Sequence, residues 1–130
     1  MKIYWNIREK GNEKTNDFKF ILNKLELLKE RTGSFSCSFE NDENQRRFST
    51  YSAFSDEDKS YLFFISIGEI GDDGEYLLKT LNNKGNKNKK VEFNGDYYCY
   101  DQATPDFSLV LFCFECFFKE KKISEKILSE

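Results

Sequence analysis

Strict alternation of apolar and polar residues recurs along this chain, and it limits the possible fold more than any other feature. Over residues 34–40, Phe35, Cys37 and Phe39 alternate with Ser34, Ser36 and Ser38. Successive side chains of a strand point to opposite faces, so this pattern predicts a strand that is half buried. Residues 2–7 repeat it with Ile3, Trp5 and Ile7, apart from Tyr4, and residues 47–54 carry it again. Residues 41–45 are polar and read as a turn, so 34–40 and 47–54 are expected to pair as an antiparallel hairpin. Residues 61–67 are almost wholly apolar, which suits a central strand covered on both faces.

Helical period is clear in one place. Phe18, Ile21, Leu22, Leu25 and Leu28 fall on one face of a helix, with Asn16 as its cap and Asp17 in its first turn. Gly33 is expected to stop it, after Lys29 and Arg31. Residues 11–15 read as a polar loop. Gly68, Gly71 and Gly74 punctuate another loop, and residues 75–81 fit a short helix or a strand equally. Residues 82–90 form a loop rich in Asn, Lys and Gly, and Asn94-Gly95 suits a tight hairpin turn between 91–93 and 96–100. Thr104-Pro105-Asp106 is a further turn. Residues 107–118 are long, apolar and rich in β-formers, and they are expected to be a central strand. Ile123, Ile127 and Leu128 suggest a short helix at the C-terminus.

The expected fold is therefore α+β, as one globular domain over residues 1–130. A single antiparallel or mixed sheet of about five to seven strands carries a helix from the N-terminal half on one face and a short C-terminal helix. The chain has 14 Phe, 7 Tyr and one Trp among 130 residues, so a Phe-dominated core is expected. A chain of this size holds such a core without disulfides or metals. Residues 1–7 are too short for a secretory signal and lead into Arg8, Glu9 and Lys10. The longest apolar run, at 107–118, is shorter than the roughly 20 residues of a membrane span. The cytoplasm is the expected location, no membrane contact is expected, and the four cysteines should be reduced there.

The chain contains no histidine. Ser-His-Asp and Cys-His machinery, His-ligated metals and imidazole acid–base chemistry are thereby excluded. No phosphate loop of the known glycine-rich kinds is present. Cys113-Phe114-Glu115-Cys116 has the CxxC spacing, but in a strand positions i and i+3 face opposite ways, so these thiols read as buried structural groups. Asp72, Asp73 and Glu75 supply only fragments of a calcium loop. Glu115 stands among apolar residues and is either a pocket acid or a group on a solvated face. No enzymatic activity, cofactor or metal is expected from this inventory.

Charge is distributed unevenly. Residues 40–75 hold ten acids against three bases, whereas residues 79–90 hold five lysines and no acid. The lysine run lacks interleaved aromatics to stack bases, and no nucleic-acid partner is expected. The acids sit at predicted loop ends and could converge on one edge of the sheet, where they would attract a basic surface. The expected protein-binding residues are Asp56, Glu57, Asp58, Glu69, Asp72, Asp73 and Glu75, with Tyr51, Tyr61 and Tyr76 as aromatic anchors.

In size, charge and the acidic stretch from Asp56-Glu57-Asp58 to Asp72-Asp73-Gly74-Glu75, the chain resembles small bacterial immunity proteins of polymorphic-toxin and contact-dependent growth inhibition systems. That resemblance implies one-to-one binding to a cognate toxin domain, in many cases a basic nuclease. An assembly subunit of a phage or mobile element, and a small-ligand-binding domain, are the alternative readings.

Overall fold

The computed structural model describes residues 1–55, 59–81, 90–93, 96–99, 103–123 and 127–129. The chain opens with β1 (Lys2–Ile7) and β2 (Glu9–Lys14), then α1 (Phe18–Leu27), β3 (Gly33–Ser38), β4 (Arg47–Ser55), β5 (Ser60–Ile70) and β6 (Tyr76–Leu81). It continues with β7 (Lys90–Phe93), β8 (Asp96–Cys99), β9 (Ala103–Thr104), α2 (Phe107–Glu120) and β10 (Leu128–Ser129). The main sheet runs β10-β6-β5-β4-β3-β1-β2, with β9 also beside β5, and every pairing is antiparallel. Strands β7 and β8 form a separate pair. The fold is the expected α+β class.

Hairpin β3–β4 has the predicted pairing, with Cys37 opposite Phe48 and Phe35 opposite Thr50. Residues 11–15 are not a loop: most of them belong to β2, which pairs with β1 through Tyr4–Asn12 and Trp5–Gly11. Arg8, at φ 69°, turns the chain between the two strands. Gly11 is required there by Trp5, because a Cβ at Gly11 would stand 2.2 Å from the indole. The ambiguous segment at 75–81 is strand β6, and Gly68 lies inside β5 rather than in a loop. The Asn94-Gly95 turn and most of the lysine run lie outside the described residues.

Helix α1 is capped one residue later than predicted. The Asp17 carboxylate accepts a hydrogen bond from the Lys19 amide at 3.0 Å. The helix also ends early, at Leu27, in a tightened turn where the Leu28 and Lys29 amides reach back to Leu25 and Glu26. The buried Ser52 hydroxyl donates to the Leu28 carbonyl at 2.6 Å, satisfying a group that the helix leaves open. Gly33 then begins β3 instead of ending the helix.

The largest correction concerns residues 107–118, expected to be a strand and found inside helix α2. Asp106 caps it by accepting from the Ser108 amide at 2.9 Å. Its buried residues Val110, Cys113, Phe114 and Phe117 recur at i, i+3, i+4 and i+7, the spacing of one helix face. The other positions are also apolar, which hides that period from a reading by alternation. The β-forming tendency of Phe and Val is context-dependent and yields to packing. Among the described residues the helix nearest the C-terminus is thus α2, and the short helix expected around Ile123, Ile127 and Leu128 is not found: Leu128–Ser129 is a strand beside β6.

Both helices cover the same face of the sheet. Ile3, Ile7, Phe35, Cys37, Phe48, Phe63, Ile65 and Ile67 of the sheet pack with Ile21 and Leu25 of α1 and with Phe114 and Phe117 of α2. Phe48 and Phe117 stack at 5.9 Å, and Phe35 meets Phe114 edge-on at 6.3 Å. The core is Phe-dominated, as the composition predicts. On the opposite face a smaller cluster of Ala53, Leu62, Phe64 and Ala103 covers only one end of the sheet. Among the described residues, the rest of that face is open.

Candidate functional site

Two surfaces carry the chemistry. The first is the end of the sheet where the β3–β4 and β5–β6 turns meet. Asn44 ties them together: its carbonyl accepts from the Ile70 amide at 2.8 Å, and its side-chain amide donates to the Ile70 carbonyl at 3.0 Å. Asp42 shapes its own turn by accepting from the Asn44 and Arg46 amides at 3.2 and 3.1 Å. Asp73 does the same in the other turn, accepting from the Glu75 amide at 3.0 Å.

Glu69, Asp72, Asp73 and Glu75 therefore gather at one end with Asp42 and Glu43. They are not equivalent. Glu69 is paired with Arg46 at 3.4 Å and with Lys79 at 3.5 Å, and Arg46 also approaches Asp42 at 3.9 Å. Glu43, Asp72, Asp73 and Glu75 are exposed, and Tyr76 beside them is 64% exposed. Asp56, Glu57 and Asp58 lie outside the described residues. Their described neighbours Ser55 and Ser60 pair at the far end of the β4–β5 ladder from Arg47 and Gly68. Of the predicted anchors, Tyr76 alone adjoins the acidic end. Tyr51 lies mid-sheet on the open face, and Tyr61 lies on the helix side against Phe54 at 5.3 Å.

The second surface is the open sheet face, which the sequence reading passed over. Strand register aligns its residues in transverse rows. One row runs Lys14, Lys2, Ser38, Arg47, Gly68, Leu78. The next runs Asn12, Tyr4, Ser36, Ser49, Ser66, Thr80, and a third runs Lys10, Asn6, Ser34, Tyr51, Phe64, Ala103. These rows contain lysines and an arginine but no carboxylate. A groove of about 480 Å³ crosses them, lined by Ser34, Ser36, Ser49, Ser66, Thr80, Arg47, Tyr51, Tyr76 and Leu78 among others. At its flank Lys14 pairs with Glu40 at 2.8 Å, both side chains exposed. That contact raises the Lys14 pKa and lowers that of Glu40. The alternating serines of β3 were the available signal, but they read equally as an ordinary wet strand face.

On α2 the CxxC thiols share one side of a helix, so the sequence argument that they point apart fails with the strand. Burial nonetheless pushes the Cys113 thiol up to about 12, and burial raises Cys37 as well. Thiols held protonated in this way are poor nucleophiles and poor ligands. Glu115 is exposed on the outer side of α2, which is the solvated-face alternative. Among the described residues, no group of three or more Cys, Asp or Glu is placed to hold a metal ion, and no helix is long and apolar enough to cross a membrane.

The architecture is that of a two-layer α+β protein whose antiparallel sheet is covered by two helices on one side. The chain belongs to DUF6911, a family of unknown function, whose model matches residues 2–127. The same fold occurs in the crystal structure of a hypothetical protein from Neisseria gonorrhoeae, with a TM-score of 0.70 and 16% sequence identity over 93% of this chain and 88% of that one. No curated protein matches the chain.

Proposed function

We propose that this chain is a non-enzymatic protein-binding protein of the immunity type, which neutralises a basic toxin domain by docking it on the acidic end of its sheet. The observation that carries the reading is the Asn44–Ile70 tie, which brings two acidic turns into one rigid surface. Glu43, Asp72, Asp73 and Glu75 present exposed carboxylates there, and Tyr76 supplies a large aromatic surface. Carboxylates of this kind steer a basic partner during encounter, and an aromatic residue anchors it once docked. The histidine-free sequence suits a role without acid–base chemistry. The cytoplasm is the compartment in which such an inhibitor would act.

The test uses the toxic C-terminal domain of a large secreted protein encoded by the neighbouring reading frame. That domain should bind one-to-one and lose its activity. Asp72→Lys with Asp73→Lys should slow association and flatten its dependence on salt. Unchanged association kinetics in that double variant would remove the acidic end from the interface. The lack of any toxin-bearing neighbour among family members would remove the immunity role itself.

A further inference from the structure

We propose that the open sheet face is a binding site for a small phosphate-bearing molecule, up to a mononucleotide in size, with its phosphate seated between Arg47 and the Ser49–Ser66 pair. The site shares Tyr76 with the acidic end but does not rest on the docking reading.

Arg47 is exposed and, among the described residues, has no carboxylate partner. Its guanidinium lies 5.2 Å above the Tyr4 ring, a contact that holds the fork over the sheet. Opposite Arg47 in register is Gly68, whose missing side chain makes room for the Tyr76 phenol. The Tyr76 hydroxyl lies over that glycine, so close that a Cβ there would stand 2.1 Å from it. One step along the strands, Ser49 and Ser66 face each other directly. Cross-strand partners of this kind have Cβ atoms about 5 Å apart. Neither serine hydroxyl has a hydrogen-bond partner among the described residues.

This arrangement sets a guanidinium fork and three hydroxyls along one groove. A planar carboxylate uses the fork and leaves the serines idle. A phosphate, with three terminal oxygens, meets the fork and the serine pair together. Lys2 lies in the same row as Arg47, and the Glu40 carboxylate stands by Lys2 and Lys14 at the flank. Phe64 and Leu78 line the same groove and give a ring or sugar an apolar wall. A volume of about 480 Å³ lies in the usual range for small-molecule sites.

The test titrates the full chain with inorganic phosphate, ribose 5-phosphate, uridine 5′-monophosphate and uridine, followed by backbone amide shifts and calorimetry. The three phosphate compounds should move the amides of Ser49, Ser66 and Gly68 in the millimolar range or below. Tighter binding of the nucleotide than of ribose 5-phosphate assigns a base to the groove, and equal binding assigns a sugar phosphate. Arg47→Gln, a change at an exposed position, should weaken binding about tenfold or more. Ser49→Ala with Ser66→Ala should weaken it about threefold or more, while Lys19→Gln on α1 should leave it unchanged. Absence of these shifts with all three phosphates, uridine binding as tightly as its phosphate, or undiminished binding by Arg47→Gln would overturn the assignment.

Discussion

The Ser52 hydroxyl donates a buried hydrogen bond to the Leu28 carbonyl at 2.6 Å, joining the middle of β4 to the end of α1. Two residues earlier on the same face, the Thr50 hydroxyl is buried with no partner among the described residues. Two neighbouring hydroxyls therefore have opposite effects. Ser52→Ala should cost about 1–3 kcal/mol, because it strands a buried carbonyl. Thr50→Val, nearly the same shape, should stabilise by about 1 kcal/mol by removing an unmet polar group. Urea unfolding of the two variants checks both signs.

Helix α2 makes a contrast between adjacent apolar positions. Phe114 is fully buried and touches the rings of Phe18, Phe35 and Phe48, whereas Phe112 is 52% exposed. Phe114→Ala should cost about 3–5 kcal/mol. Phe112→Ala should change stability by less than about 0.5 kcal/mol. A strand over 107–118 would place both residues on one face and give them similar costs, so the ratio also tests the helix.

The start of α2 should be sensitive to acid. The Ser108 hydrogen bonds to Asp106 hold its carboxyl below the ordinary carboxylate range. A folded-state pKa below the unfolded value means stabilisation that is complete above the unfolded value. It is lost as pH falls through the folded one. Thermal stability should therefore fall on the acid side more steeply in the native chain than in Asp106→Asn, which keeps a capping oxygen without titrating. Melting curves across the acid range, compared between the two proteins, read that difference.

Thiol reactivity should follow burial. With Cys99→Ser as background, a thiol reagent added to the folded protein should label the partly exposed Cys116 first. Cys37 and Cys113, both fully buried, should react only after unfolding. Peptide mapping of the labelled protein identifies the order.

What the sequence disclosed follows from how local each signal is. Phe35 and Cys37 alternate with serines, and the residues that pair with them lie a short turn away, so β3 and β4 were readable. In α1 the apolar stripe is narrow and the period shows. In α2 the stripe is flanked by further apolar residues, and Phe112 on the outer side reads no differently from Phe114 on the inner one. The Asp106 cap and the sheer length of the run were the clues that favoured a helix. Strand β2 was missed because its charged residues match a loop in composition. The two candidate surfaces were the least legible. Asn44 and Ile70 are 26 residues apart, and nothing in either segment announces their union. The rows of the open face exist only once register sets Arg47 beside Gly68 and Ser49 beside Ser66.

Strand β2 also governs what the sheet can join. It forms one border of the main sheet, and its sequence is Glu9, Lys10, Gly11, Asn12, Glu13, Lys14. A second copy adding there in antiparallel fashion, with its helices on the same side, must pair residues of equal parity. That sets Glu9 against Glu13, or Lys10 against Lys14, and each clash occurs twice across the two-fold axis. Repulsion of like with like at that border opposes the growth of ribbons and fibres by edge addition.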